Sequence, residues 1–230
     1  MKAVILAAGK GERLRAITEN IPKPMIRFRG KPILEHNIEL CRRFGVTDLF
    51  INTHHLPEVI RGYFGDGSRW GVHIEYTFEP ELLGTSSAVR NFQSFLSDGP
   101  FFVLYGDNYS DYDLSALQKK QQEHSALGVI AFHWREDTSS SGVAEFAEDG
   151  RISRFIEKPA PGQSDSHWVN AGIYYFREEI LSFLPSGYSD FAKDIFPKLL
   201  ASGESLYGVR QKVEVLAFDT PEMYNQSIKS

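Results

Sequence analysis

Residues 3–13 read Ala-Val-Ile-Leu-Ala-Ala-Gly-Lys-Gly-Glu-Arg, and Pro22-Lys23-Pro24 comes shortly after. A short apolar run, Ala3 to Leu6, stops at a glycine-rich, cationic loop. Short apolar runs bounded by turn residues read as buried strands, and glycine lets backbone N–H groups approach an anion closely. Lys10, Arg13 and Lys23 add positive charge. A loop of this kind suits a polyphosphate. It is not a Walker A loop, which needs Gly, four residues, then Gly-Lys-Ser/Thr. It also falls short of the dinucleotide fingerprint Gly-x-Gly-x-x-Gly: Gly9 and Gly11 are present, but Leu14 stands at the third glycine.

Charge sets this segment apart. Residues 1–31 carry eight Lys/Arg against two Asp/Glu, whereas the other 199 residues carry 17 against 28. The net charge of −5 argues against a general nucleic-acid binder. The single cysteine, Cys41, excludes an intramolecular disulfide and argues against a zinc cluster. Its place in an apolar helical pattern reads as a core thiol. No run approaches ~20 apolar residues, and no signal-peptide pattern opens the chain, so a cytoplasmic protein that does not enter a membrane is expected.

Outward from the first run, strands and helices alternate. Strands are expected over 3–7, 49–52, 72–77 and 101–105, with helices over 31–44, 57–64 and 85–96. Gly45 would stop the first helix, and Thr85 or Ser86 would cap the third. Such a βαβ series implies an α/β fold with a mainly parallel sheet and helices on both faces. The second half differs. Strands over 143–146 and 152–156 flank Asp149-Gly150, a hairpin turn. Further strands are expected over 127–134 and 169–176, helices near 177–183 and 190–200, a strand pair near 205–217, and a short C-terminal helix. No composition shift marks a linker, so residues 1–230 read as one domain.

Open α/β sheets bind ligands beyond the carboxyl ends of their strands. Two features fall there: the glycine loop, and Gly106-Asp107-Asn108 after the fourth strand. A carboxylate beside a phosphate loop is a natural Mg²⁺ ligand, because magnesium prefers carboxylate, water and phosphate oxygens. On position alone, Asp107 also reads as a turn or cap residue. His54-His55 lacks a third ligand at useful spacing and reads as strand-end packing or loop lining.

Several blocks in order carry a resemblance: Leu6-Ala7-Ala8-Gly9-Lys10-Gly11-Glu12-Arg13-Leu14, Pro22-Lys23-Pro24, Gly84-Thr85-Ser86-Ser87-Ala88, Gly106-Asp107-Asn108, Phe155-Ile156-Glu157-Lys158-Pro159, Val169-Asn170-Ala171-Gly172-Ile173-Tyr174 and Asp219-Thr220-Pro221-Glu222. Together they resemble the sugar-1-phosphate nucleotidyltransferases, over nearly the whole chain.

The resemblance implies a Rossmann-like, mixed but mainly parallel sheet with a small β-hairpin sugar-binding insertion. It divides the domain into a nucleotide-binding half, 1–110, and a sugar-phosphate-binding half, 111–230. It implies attack of a sugar 1-phosphate on the α-phosphorus of a nucleoside triphosphate with Mg²⁺ as cofactor. The backbone of Leu6, Ala7, Ala8, Gly9, Lys10 and Gly11, with Gly84 and Thr85, would hold the nucleotide. Arg13 and Lys23 would neutralise its phosphates, and Asp107 would hold the metal. Gly142, Glu157, Lys158, Asn170 and Gly172 would bind the sugar phosphate.

Two positions depart from the family pattern. Glu12 replaces a threonine, and the second metal carboxylate aligns with Ala217, two residues before Asp219. An offset of two keeps a strand side chain on one face but moves it ~7 Å along. Asp219 is nevertheless expected to take part in metal binding. The Gly-Thr-x-x-Ala block resembles guanylyltransferases acting on mannose or heptose 1-phosphate, which favours GTP. A uridylyl- or thymidylyltransferase is the alternative, and a non-catalytic nucleotide-sugar-binding regulator is an alternative of another class. Neither nucleic acid nor membrane is an expected partner, and the oligomeric state is left open.

Overall fold

The structure, a computed structural model, describes residues 1–11, 14–218 and 224, with Arg15 and Ala16 described in their backbone only. Along the chain run β1 (Lys2–Leu6), α1 (Arg15–Thr18), β2 (Arg27–Phe28), β3 (Lys31–Pro32), α2 (Ile33–Arg43), β4 (Asp48–Thr53), α3 (Pro57–Phe64), β5 (His73–Phe78), α4 (Gly84–Arg90), α5 (Gln93–Leu96), β6 (Phe101–Tyr105) and β7 (Asn108–Ser110). Next come α6 (Leu114–His124), β8 (Gly128–Trp134), β9 (Gly142–Phe146), β10 (Ile152–Glu157), β11 (Trp168–Phe176), α7 (Phe196–Ala201), β12 (Leu206–Gln211) and β13 (Val215–Ala217). The fold is α/β, with a mixed, mainly parallel sheet flanked by helices. The contacts divide it into two compact units: residues 1–82, 104–111 and 214–230, and residues 83–103 and 112–213.

In the first unit β1 pairs in parallel with β4, and β4 with β5, through Ile5 opposite Ile51 and Leu49 opposite Ile74. The end of β6 lies on the other side of β1. β1 and β4 read as apolar runs and are largely buried, as central strands of a parallel sheet are. The expected helix over 31–44 is α2, which buries Ile33, Leu34, Ile38 and Cys41 and ends before Gly45 (φ 73°). Burial pushes the Cys41 thiol up to about 12, which makes it an inert core group. A second cluster of Leu14, Ile26, Phe28, Ile33, Tyr109 and Phe218 packs the stretch around Lys23 against β7 and the residue after β13.

In the second unit β8 is central, antiparallel to β11 and parallel to β12. The expected hairpin is present: β9 and β10 pair across Asp149-Gly150, where Gly150 takes φ 88°. Tyr174, Phe176, Phe191 and Phe196 form an aromatic core, with Phe176–Phe191 and Tyr174–Phe196 centroids both 5.2 Å apart. Such pairs add ~1 kcal/mol each beyond simple burial.

Three expectations change. The helix over 85–96 is two short helices. Neither Thr85 nor Ser86 caps it, because α4 starts at Gly84 with Leu83 at the N-cap position. Donors near its start are met from far along the chain: Asp190 Oδ1 accepts from the Thr85 N–H at 3.1 Å. The strands near 205–217 do not pair with one another, since β12 joins β8 and β13 joins β7. The expected C-terminal helix lies outside the described residues, Tyr224 excepted.

Candidate active site

In the first unit the glycine loop leaves the end of β1 and is held from beneath. The buried Asn52, at the end of β4, accepts the Ala7 N–H at 2.8 Å and donates to Glu79 Oε1 at 2.8 Å. Gly9 has open space where a side chain would project, and Lys10 is exposed. Gly11 takes φ 63°, and a Cβ there would meet Thr18 Cγ2 at 2.9 Å. His55 hydrogen-bonds the Thr18 carbonyl at 2.9 Å and His54 the Glu79 carbonyl at 2.7 Å. Both histidines therefore support the loop region, and no metal-ligating cluster of three or more such side chains occurs among the described residues.

Lys23 sits in a 3-10 turn, Lys23–Met25, with its side chain almost wholly buried. Its Nζ donates to Asp107 Oδ2 at 2.5 Å. The two side chains come from residues 84 apart in sequence. Burial of an ammonium is tolerated when a carboxylate pairs with it. Asp107 itself keeps about a quarter of its surface exposed. The turn that carries it is pressed onto β1. The Gly106 N–H donates to the Leu6 carbonyl at 2.8 Å, and a Cβ on Gly106 would lie 2.9 Å from that oxygen. Glycine is required here by close approach. Ala217 stands opposite Asn108 in the β13–β7 ladder, so its methyl group brings no oxygen to this end of β7. Arg13 and Asp219 lie outside the described residues.

The donor chemistry fits Mg²⁺ in part. Asp107 offers one hard oxygen ligand, and magnesium is commonly held by one or two carboxylates with water and substrate phosphates completing its shell.

In the second unit the expected sugar-phosphate residues sit on irregular backbone. Glu157 ends β10 opposite Gly142, and a Cβ on Gly142 would meet Glu157 Oε2 at 2.8 Å and Phe155 Cζ at 2.7 Å. Glycine thus leaves room for the carboxylate. Burial raises the Glu157 carboxyl above its ordinary value. Lys158 and Lys193 oppose that rise, and Asp190 adds to it. Lys158 is exposed and adopts φ 51° just before a proline, a strained conformation for a non-glycine residue. Asn170 begins a break in the β11–β8 register; its Oδ1 accepts from the Gly172 N–H at 3.0 Å and its Nδ2 donates to Tyr174 Oη at 2.9 Å. Gly172 takes φ 71° within that bulge.

Gly84 and Thr85 belong to this second unit. Gly84 takes φ 76°, and a Cβ would stand 2.4 Å from the Ser189 carbonyl oxygen. The Thr85 hydroxyl donates to Asp190 Oδ1 at 3.2 Å and accepts the Phe191 N–H at 2.9 Å. In this structure both residues therefore tie residues 83–87 to 187–191.

Four polar residues were missed by sequence reasoning: Asn37, Asn52, Glu79 and Asp190. Asn37, on the helix face of Leu34, Ile38 and Cys41, and Asn52, after Leu49-Phe50-Ile51, carry the signal of a buried amide but not the identity of its partners. Asp190 carried no such signal, since Thr85, the partner through which it reaches α4, lies 105 residues away.

Parallel strand ends bearing a glycine loop, with the buried Lys23 ammonium paired to Asp107 beside it, define the architecture as α/β. A family model described as nucleotidyl transferase matches residues 2–214, and the chain belongs to that family. It is 40% identical over 243 residues to a UTP–glucose-1-phosphate uridylyltransferase of Synechocystis, with all of this chain and 63% of the relative covered. It is 33% identical over 240 residues to a mannose-1-phosphate guanylyltransferase catalytic subunit beta of Danio rerio, covering 100% and 66%. The chain thus spans about two thirds of the length of these curated relatives. Among solved structures, a putative glucose-1-phosphate thymidylyltransferase of Bacillus anthracis superposes with a TM-score of 0.88 at 23% identity, covering 100% of this chain and 94% of that one. HddC of Yersinia pseudotuberculosis superposes with a TM-score of 0.83 at 24% identity, covering 99% and 98%. At those identities the likeness concerns the fold. No helix among the described residues is long and apolar enough to cross a membrane.

Proposed function

We propose that this protein transfers a nucleotidyl group from a nucleoside triphosphate to a sugar 1-phosphate, releasing pyrophosphate. The Lys23–Asp107 pair beside the glycine loop, in a chain of this family, carries the reading. Two polyanions must meet in such a reaction, so cations and preorganised N–H groups do the work rather than a covalent nucleophile.

The resemblance to the family suggests a role for each group, and the chemistry of each is compatible with it. Backbone from Leu6 to Gly11 would hold the nucleotide, with Gly9 open to close approach. Arg13 would neutralise the β- and γ-phosphates. The Lys23 ammonium would exchange its carboxylate partner for the α-phosphate, where charge shifts during transfer. Asp107, with Asp219, would hold Mg²⁺, which when bound neutralises the triphosphate and the leaving pyrophosphate. Lys158 would bind the phosphate of the sugar, and Glu157 and Asn170 would hydrogen-bond its hydroxyls. Gly142 and Gly172 would let the sugar approach the backbone. Residues 1–110 would serve the nucleotide and 111–230 the sugar phosphate, with 83–103 grouped among the latter by contacts.

The Gly84-Thr85 block favours GTP with a mannose- or heptose-type sugar. The 40% identity to a uridylyltransferase supports UTP with glucose 1-phosphate as a second reading. One experiment separates the possibilities: incubation with Mg²⁺, each nucleoside triphosphate and a panel of sugar 1-phosphates, with pyrophosphate as readout. Release with one pair supports the transferase and names its substrates. Tight nucleotide binding without release from any pair would identify a nucleotide-sugar-binding regulator instead.

A further inference from the structure

Asn37 is out of place on its own helix. It lies on the apolar face of α2, between Leu34 and Cys41, and is 3% exposed. A buried amide is retained only where its hydrogen bonds are met. Within α2 its Nδ2 meets the Ile33 carbonyl at 3.2 Å. The same nitrogen leaves the helix and reaches the Asn108 carbonyl at 2.9 Å and the Gly106 carbonyl at 3.4 Å. Those carbonyls flank Asp107 on both sides.

We infer that Asn37 is the positioning residue of Asp107: from α2 it clasps the carbonyls of the two residues that flank the carboxylate-bearing one and fixes the backbone from which that carboxylate projects. The turn is restrained from two directions. β1 holds it through the Gly106 N–H on the Leu6 carbonyl at 2.8 Å, while Asn37 holds its carbonyl side. What is left to move is the Asp107 side chain, and that is the part paired with Lys23. Groups that orient a metal-binding carboxylate affect affinity and rate without touching the metal, commonly by 10–100-fold. The inference rests on the role proposed for Asp107 and deepens it.

The test is a double-mutant cycle of Asn37→Ala and Asp107→Asn, read in pyrophosphate release and in Mn²⁺ binding followed by electron paramagnetic resonance. Asn37→Ala is expected to lower kcat roughly 10–100-fold, to raise the metal concentration for half-maximal rate by a similar factor, and to leave KM for the nucleotide within about threefold. On the Asp107→Asn background it is expected to change neither readout further, because the group it positions is gone. Ile60→Val, a buried change in α3, serves as the control for stability alone. Should Asn37→Ala not accumulate as folded protein, Asn37→Ser keeps a donor and is expected to show the same pattern at smaller amplitude. Additive effects in the cycle, or a loss in Asn37→Ala confined to thermal stability, would overturn the inference. Should the wild-type protein release pyrophosphate from no substrate pair, the functional reading fails separately. The positioning role then stands or falls on Mn²⁺ binding, and an isotherm unchanged by Asn37→Ala rejects it.

Discussion

The two units hold their candidate site residues by different means. In the first, the backbone is regular up to the strand ends, and buried amides fasten the loop and turn beyond them: Asn52 holds the loop at Ala7, and Asn37 holds the turn at Asp107. In the second, the backbone itself is irregular where the candidate residues lie. Lys158 stands at φ 51°, Asn170 opens a bulge, and Gly142 makes room for the Glu157 carboxylate. Fixed dipoles and charges at strand ends suit a large polyanion that must be held rigidly. Re-aimed single side chains suit a small polyhydroxylated ligand, where each contact has its own direction. On the proposed roles, specificity for the sugar phosphate would reside in backbone exceptions, which single substitutions can erase.

The largest expected effect breaks the first unit's charge arrangement. Lys23→Met is expected to lower pyrophosphate release about 10³-fold, as loss of one preorganised charge contact does. The melting temperature should move only a few degrees, because replacing one member of the pair with an apolar chain of similar length leaves Asp107 partly solvated. Thermal melts beside steady-state rates check both halves of that statement. A collapse of the fold would show that the pair is structural first.

Gly84→Ala strikes the second unit and should act mainly on stability. Its Cβ would stand 2.4 Å from backbone oxygen at a φ of 76°, and neither partner can yield as a side chain would. A loss of about 2–4 kcal/mol in urea unfolding is expected. A loss below ~1 kcal/mol would mean that the junction with Ser189 is loose, and the contrast with the first unit would weaken.

The smallest effect sharpens the comparison most directly. At an ordinary strand position alanine is more favourable than glycine. At position 158 the order should reverse, with Lys158→Gly more stable than Lys158→Ala by roughly 1 kcal/mol. Both variants should raise KM for the sugar phosphate equally. Equal stabilities would remove the strained backbone from the account of this site.

Much of the fold was legible because burial and periodicity are local. The apolar run Ala3–Leu6, the helix stopped at Gly45 and the hairpin turn at Asp149-Gly150 each carry their signal within a few residues. The α4 region was misread for the opposite reason: its capping carboxylate, Asp190, arrives from 105 residues downstream. Of the site, the glycine loop, Lys23, Asp107 and the Glu157-Lys158 and Asn170 blocks stood out as motifs. Asn37, Asn52 and Asp190 did not, because nothing about an amide or a carboxylate in one stretch tells which distant peptide groups it will meet.

The sequence by itself determined the class of fold, the cationic glycine loop and the family, all of which depend on residue order along one strand of chain. Only the tertiary structure decided that Lys23 pairs with Asp107, that Asn37 brackets that carboxylate, and that Thr85 is tied to Asp190. Hydrogen bonds and ion pairs act over about 3 Å in space and are indifferent to separation in sequence, so they become readable once the chain has folded.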